Sequence, residues 1–226
     1  MRAAERGRKH NMPEFAAMTS DMDHGIGRIL DKLIELDLLE STYLIYLSDN
    51  GGRNTIPKAP DIIEQRNAPL RDGKHSFYEG GIRVPFIALG PGIKPGSVSD
   101  VPVSGVDFLP TFADLAAYPQ KLPSNIDGGS LSSVFANGKT GKVVRPNPFL
   151  VFHQAVDRSA ASAIRLGDYK LVKTWKSDNL ELFDLSKDIS EATDLSKQMP
   201  AKTQELHRML TDYLAEVGAE TRRTED

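Results

Sequence analysis

Cysteine is absent from the 226 residues, which excludes disulfides, thiolate metal ligands and a cysteine nucleophile within them. That absence says little about compartment, because a large domain is stable without cross-links. No apolar run approaches the roughly 20 residues of a membrane-spanning helix. Neither charge dominates: 28 Lys and Arg stand against 31 Asp and Glu, a net charge of −3. There is thus no electrostatic reason to expect nucleic acid or an anionic membrane as partner. The opening "MRAAERGRKHN" is basic but leads into no apolar core, so it shows no export signal and leaves localisation open. Internal repeats and low-complexity stretches are also missing.

What is present reads as α/β. Met22, Ile26, Ile29, Leu30, Leu33 and Ile34 recur at helical spacing, predicting a helix over 19–39 with Ser20 or Asp21 as its cap. It feeds the strand-like run Tyr43–Leu47. A loop rich in Pro, Asn and Asp follows, from Arg53 to about Asp72, and then a second strand over Val84–Gly90. "VDFLPTFADLA" places Phe108, Leu109, Phe112 and Leu115 on one helical face, with Asp107 as a possible cap, and 118–148 reads mostly as loop. From Phe149 the texture becomes short strands with a Gly167-Asp168 hairpin turn. A last helix carries Leu206, Met209, Leu210, Tyr213, Leu214 and Val217 on one stripe, and Trp175 is expected to pack in the small sheet. Residues 1–148 therefore read as a helix-covered α/β part, and 149–226 as a small antiparallel sheet packed with one helix.

Two stretches carry the chemistry. In "YLIYLSDNGG" a strand ends in Asp49 and Asn50 followed by two glycines. Asn-Gly after a strand signals a hairpin turn, but "RNTIPKAPDI" offers no immediate return strand. Ligands of open α/β sheets collect beyond strand ends, here taken as the edge of a parallel layer. The glycines permit backbone conformations that let the two side chains converge. Their oxygens are hard donors suited to calcium or magnesium. The second stretch, "LRDGKHSFYEGGIRVPF", gathers Arg71, Lys74, His75 and Arg83 around glycines. Such cations beside a divalent metal suit an anion like sulfate or phosphate, although a single Lys or Arg is usually a solvated charge.

Together with "VDFLPTFADLA", "DGGSL", "AIRLGDYKLV" and "LELFDLSKDISEATDL", these stretches resemble the type I, formylglycine-dependent sulfatases of the alkaline-phosphatase-like superfamily, in order and over nearly the whole chain. The resemblance implies part of the superfamily's α/β/α sandwich followed by the small antiparallel sheet. It implies that Asp49 and Asn50 coordinate a calcium ion and that Lys74 contacts the sulfate and helps neutralise the leaving oxygen. It gives Glu79 and Arg83 structural roles. His75 stands where glycine is common in the family, which leaves substrate contact or plain exposure open.

The departures bear on activity. The family's formylglycine arises from a cysteine or serine in C/S-x-P-S/A-R, and no residue here lies in that pattern. The family's N-terminal aspartate ligands, its activating arginine and its upstream Lys and His are also missing; His10 matches a position beside the first helix instead. The chain reads as beginning where the second half of such an enzyme would begin, and the first half becomes a candidate partner. The expected function is sulfate ester hydrolysis, of carbohydrate or aryl substrates, with the 226 residues inactive alone. Phosphate or phosphonate ester hydrolysis in the same superfamily, and a non-catalytic binding module, are the alternatives.

Overall fold

The computed structural model describes residues 13–56, 59–63, 66–155 and 160–221, so His10 lies outside the described residues. In chain order these form α1 (Pro13–Glu35), β1 (Leu44–Leu47), β2 (Thr55–Ile56), β3 (Ala59–Ile63), the one-turn helix α2 (Glu79–Ile82) and β4 (Phe86–Leu89). Then come α3 (Phe108–Leu115), α4 (Ser132–Asn137), the strands β5 (Phe149–Gln154), β6 (Ala161–Leu166), β7 (Tyr169–Thr174) and β8 (Asn179–Asp184), and α5 (Pro200–Glu216). The described residues up to Leu47, with Phe86–Ser97, form one compact unit; Ser48–Pro85 with Val98 onward form another. Among the described residues no helix is long and apolar enough to cross a membrane.

In the first unit, α1 begins six residues before the predicted start. Proline suits the first helical position, where an N–H has no intrahelical partner, and Ser20 and Asp21 lie inside the helix rather than capping it. It ends at Glu35 because Asp37 turns to φ 54 and Leu38 N–H closes back on the Leu33 carbonyl at 2.8 Å. Ile26, Leu30 and Leu33 are half-buried, whereas Met22, Ile29 and Ile34 are exposed. β1 pairs with β4 antiparallel, from Leu44↔Leu89 to Leu47↔Phe86. This corrects the expectation of a parallel edge. A parallel return needs a long crossover, usually helical, and α2, a single turn, is the one α-helix among the described residues between these strands.

The second unit is built on the sheet β5-β6-β7-β8, antiparallel throughout. Leu166 pairs with Tyr169, so Gly167 (φ 60) and Asp168 form the two-residue turn expected of "GD". Alternation along the strands divides the core between the two faces. Ile164, Leu171 and Leu182 pack against Leu206, Leu210 and Leu214 of α5, with Trp175 at the margin. Ala163, Val172 and Phe183 point the other way and meet Phe77 and Tyr78 from the Leu70–Phe86 stretch. Val217 caps α5 and is exposed, outside the stripe it was expected to extend.

Two further expectations change. The 53–72 loop contains the antiparallel pair β2–β3, which Pro57 and Pro60 hide from a reading of the sequence. Asp107 makes no side-chain cap to α3. Its buried carboxylate instead accepts the Ser104 and Gly129 N–H groups and pairs with Arg145 at 2.7 Å, organising the 98–148 segment, in which α4 was also not foreseen. Leu109 and Phe112 of α3 remain half-exposed, so its apolar face is not core among the described residues. Leu210 is fully buried. Chemical denaturation of Leu210→Ala is expected to show a loss of about 2–5 kcal/mol, while Val217→Ala should stay within about 0.5 kcal/mol of the parent.

Candidate functional site

After Leu47 the chain turns within a few residues. The Ser48 hydroxyl donates to the Asn50 carbonyl at 2.9 Å, and Asn50 Nδ2 donates to the Gly51 carbonyl at 3.0 Å. Asn50 Oδ1 and the carboxylate of exposed Asp49 accept no hydrogen bond and enter no ion pair among the described residues. A short turn thus leaves two hard oxygen donors uncommitted. Among the described residues no three His, Asp or Glu side chains group as a metal cluster. The donor set fits calcium or magnesium in kind but fills only part of calcium's roughly six to eight positions.

The turn is latched to the lysine loop by backbone. Gly51 N–H donates to the Gly81 carbonyl at 2.9 Å, and Lys74 N–H donates to the Gly52 carbonyl at 3.0 Å. A Cβ on Gly51 would lie 1.8 Å from the Gly80 carbonyl oxygen, and one on Gly80 would lie 2.2 Å from that of Asp72, so only glycine allows the approach. Asn67 Nδ2 reinforces the latch with bonds of 2.8 Å to the carbonyls of Gly52 and Asp72, and Asn54 Nδ2 donates to Asp72 Oδ1 at 2.9 Å. The two asparagines were not singled out from sequence. A loop rich in Asn and Asp was their only signal.

The four cations of the second stretch separate clearly. Arg71 lies over the Tyr78 ring at 3.7 Å and pairs with Glu181 at 3.3 Å. Arg83 pairs with Glu79 at 3.3 Å. Lys74 and His75 are exposed, and neither has a charge partner among the described residues. His75 adopts φ 76, a conformation glycine takes without strain. The structure therefore brings the segments bearing Asp49, Asn50, Lys74 and His75 together, and leaves these side chains available.

A buried cluster holds the loop to the sheet. The Lys170 ammonium, fully buried, lies 2.8 Å from both Glu79 Oε1 and Glu191 Oε1. Glu191 Oε2 accepts the Glu79 N–H at 2.6 Å, so it grips the start of α2. Burial pushes the Glu79 carboxyl up, but Lys170, Arg165 and Arg83 outweigh it and hold the group below its usual range. Burial prevails at Glu191, which is raised despite Lys170. The structural roles expected for Glu79 and Arg83 fit this cluster; Lys170 and Glu191 carried no motif that would have revealed them.

The depressed Glu79 contributes stability that is present above the usual 4.5 and is lost as pH falls through its lower folded value. The margin in Tm between the parent and Glu79→Gln should therefore shrink as pH drops below 4.5. A margin independent of pH would contradict this.

The Sulfatase family profile matches residues 2–118, and that of N-sulphoglucosamine sulphohydrolase, C-terminal, matches residues 72–220. A sulfatase of Formosa agariphila is 32% identical over 215 residues, covering 86% of this chain and 37% of the relative. Arylsulfatase K of Homo sapiens is 34% identical over 205 residues, covering 87% and 35%. Among solved structures, BT4656 in complex with its substrate D-glucosamine-2-N,6-O-disulfate superposes with a TM-score of 0.67 at 27% identity, covering 85% of this chain and 38% of that one. The chain thus spans little more than a third of the length of the curated relatives it matches. Its fold is that of the alkaline-phosphatase-like sulfatases, and the chain belongs to the sulfatase family.

Proposed function

We infer that this chain supplies the lysine loop and part of the cation site of an active centre that hydrolyses sulfate esters, carbohydrate sulfates foremost. The observation that carries this reading is the latch itself: two uncommitted oxygens on one turn, bonded through backbone to the loop that presents an unpaired ammonium. A hard divalent cation, calcium by family, would supply polarisation of the ester and neutralisation of its charge when bound. Asp49 offers it an anionic oxygen and Asn50 a neutral one. Lys74 would pair with the sulfate and offset negative charge on the departing oxygen as the S–O bond breaks. His75, next in the chain and exposed, would meet the organic part of the substrate. The sulfated glucosamine bound by BT4656 favours a sugar substrate.

The nucleophile is not among these residues, since the sequence has no cysteine and no serine in the formylglycine pattern. The 226 residues by themselves are therefore expected to hydrolyse no aryl sulfate. Calorimetry should detect weak calcium uptake, on the order of 10⁻⁴–10⁻³ M, as befits an incomplete ligand set. Asp49→Ala should abolish that heat with Tm nearly unchanged, because the side chain is exposed. Turnover by the isolated chain, or calcium binding indifferent to Asp49→Ala, would overturn the reading.

A further inference from the structure

Among the described residues, Glu191 combines several costly features. Its side chain is fully buried, its backbone sits at φ 53, and Oε1 has a charge contact with Lys170 but no hydrogen bond. A non-glycine residue in that conformation persists only where its surroundings over-determine it. A buried carboxylate that shares one ammonium with a second carboxylate is poor evidence for stability, but such groups can fix geometry. What Glu191 fixes is visible in its contacts. Oε2 holds the Glu79 N–H at 2.6 Å, its own carbonyl receives Arg71 Nη1 at 3.1 Å, and Lys170 holds the Glu79 carboxylate from β7. Arg71 and Glu79 also adjoin the Gly80 contact, since Gly80, the residue after Glu79, donates its N–H to the Arg71 carbonyl at 2.8 Å. Gly81, next in the chain, carries the carbonyl on which Gly51 hangs.

We propose that Lys170 and Glu191 are positioning residues for the candidate site: by clamping Glu79 and Arg71 they set the height of the Gly80–Gly81 segment, and with it the placement of the Asp49–Asn50 turn against the Lys74 loop. The proposal rests on the reading of that turn as part of a cation site, yet the clamp has a readout independent of any metal. The Gly51 and Lys74 amides report the latch directly, and Leu210 in α5 reports global opening.

Amide hydrogen exchange of the full chain tests this in Glu191→Gln, which keeps an acceptor for Glu79 N–H but removes the charge, and in Lys170→Met. Protection at Gly51 and Lys74 is expected to fall at least about tenfold more than at Leu210, as for local rather than global opening. Calcium uptake in calorimetry should weaken alongside. Should Lys170→Met fail to fold, Glu191→Gln decides alone. Equal loss at all three amides, or no loss at Gly51 and Lys74, overturns the proposal. A parent chain that takes up no calcium sinks the cation-site reading instead, and the exchange data still decide the clamp.

Discussion

A single peptide N–H, that of Gly51 reaching the Gly81 carbonyl, governs how the chemistry of this chain is arranged. The bond forms because the backbone at Gly51 and Gly80 approaches more closely than any Cβ would permit. It joins a turn that ends one strand to a loop some thirty residues later, and the Lys74–Gly52 bond repeats the join a few residues away. The segments bearing residues 49, 50, 74 and 75 are thus joined through backbone alone. Asn50 spends its Nδ2 on the Gly51 carbonyl, and its Oδ1, the Asp49 carboxylate and the Lys74 ammonium keep no partner among the described residues.

The structural work is done elsewhere, on the small sheet. One of its faces is an ordinary core shared with α5. The other meets the lysine loop through Phe77 and Tyr78, and there a charged cluster stands where apolar packing would have served: Lys170 from the sheet with Glu79 and Glu191 from outside it, all buried. Burying two carboxylates against one ammonium gains little stability, and breaking such a pair costs about 3–5 kcal/mol. That asymmetry gives the loop a defined seat rather than a tight one. Tyr78 adds to it, bonding Glu181 while its ring faces Arg71; burial and that carboxylate push its hydroxyl up.

How far the sequence revealed this depends on how local each signal is. The four C-terminal strands, the Gly167-Asp168 turn and the buried stripe of α5 are legible because alternation, turn chemistry and helical period act over a few residues. The candidate site was legible as two motifs, "SDNGG" and "RDGKHSFYEGG", since glycines mark close backbone approach. Other features were hidden. Pro57, next after β2 in the sequence, and Pro60 within β3 suppress a strand reading. The antiparallel sense of β1–β4 depends on what lies between them, not on either strand. Asp107 looks like a helix cap from its neighbours, and partners farther along the chain, Gly129 and Arg145, give it another task. Lys170 sits in "DYKLV" as one surface-like lysine among many, because its two carboxylate partners lie at positions 79 and 191.

The central claim, that one turn and one loop converge on a cation and a tetrahedral anion, is tested most directly by crystals of this chain grown with calcium and inorganic sulfate. The account predicts anomalous density about 2.3–2.6 Å from both the Asp49 carboxylate and Asn50 Oδ1, with sulfate against the Lys74 ammonium. Calcium bound elsewhere, or those two oxygens pointing apart with Lys74 turned away from both, would contradict it.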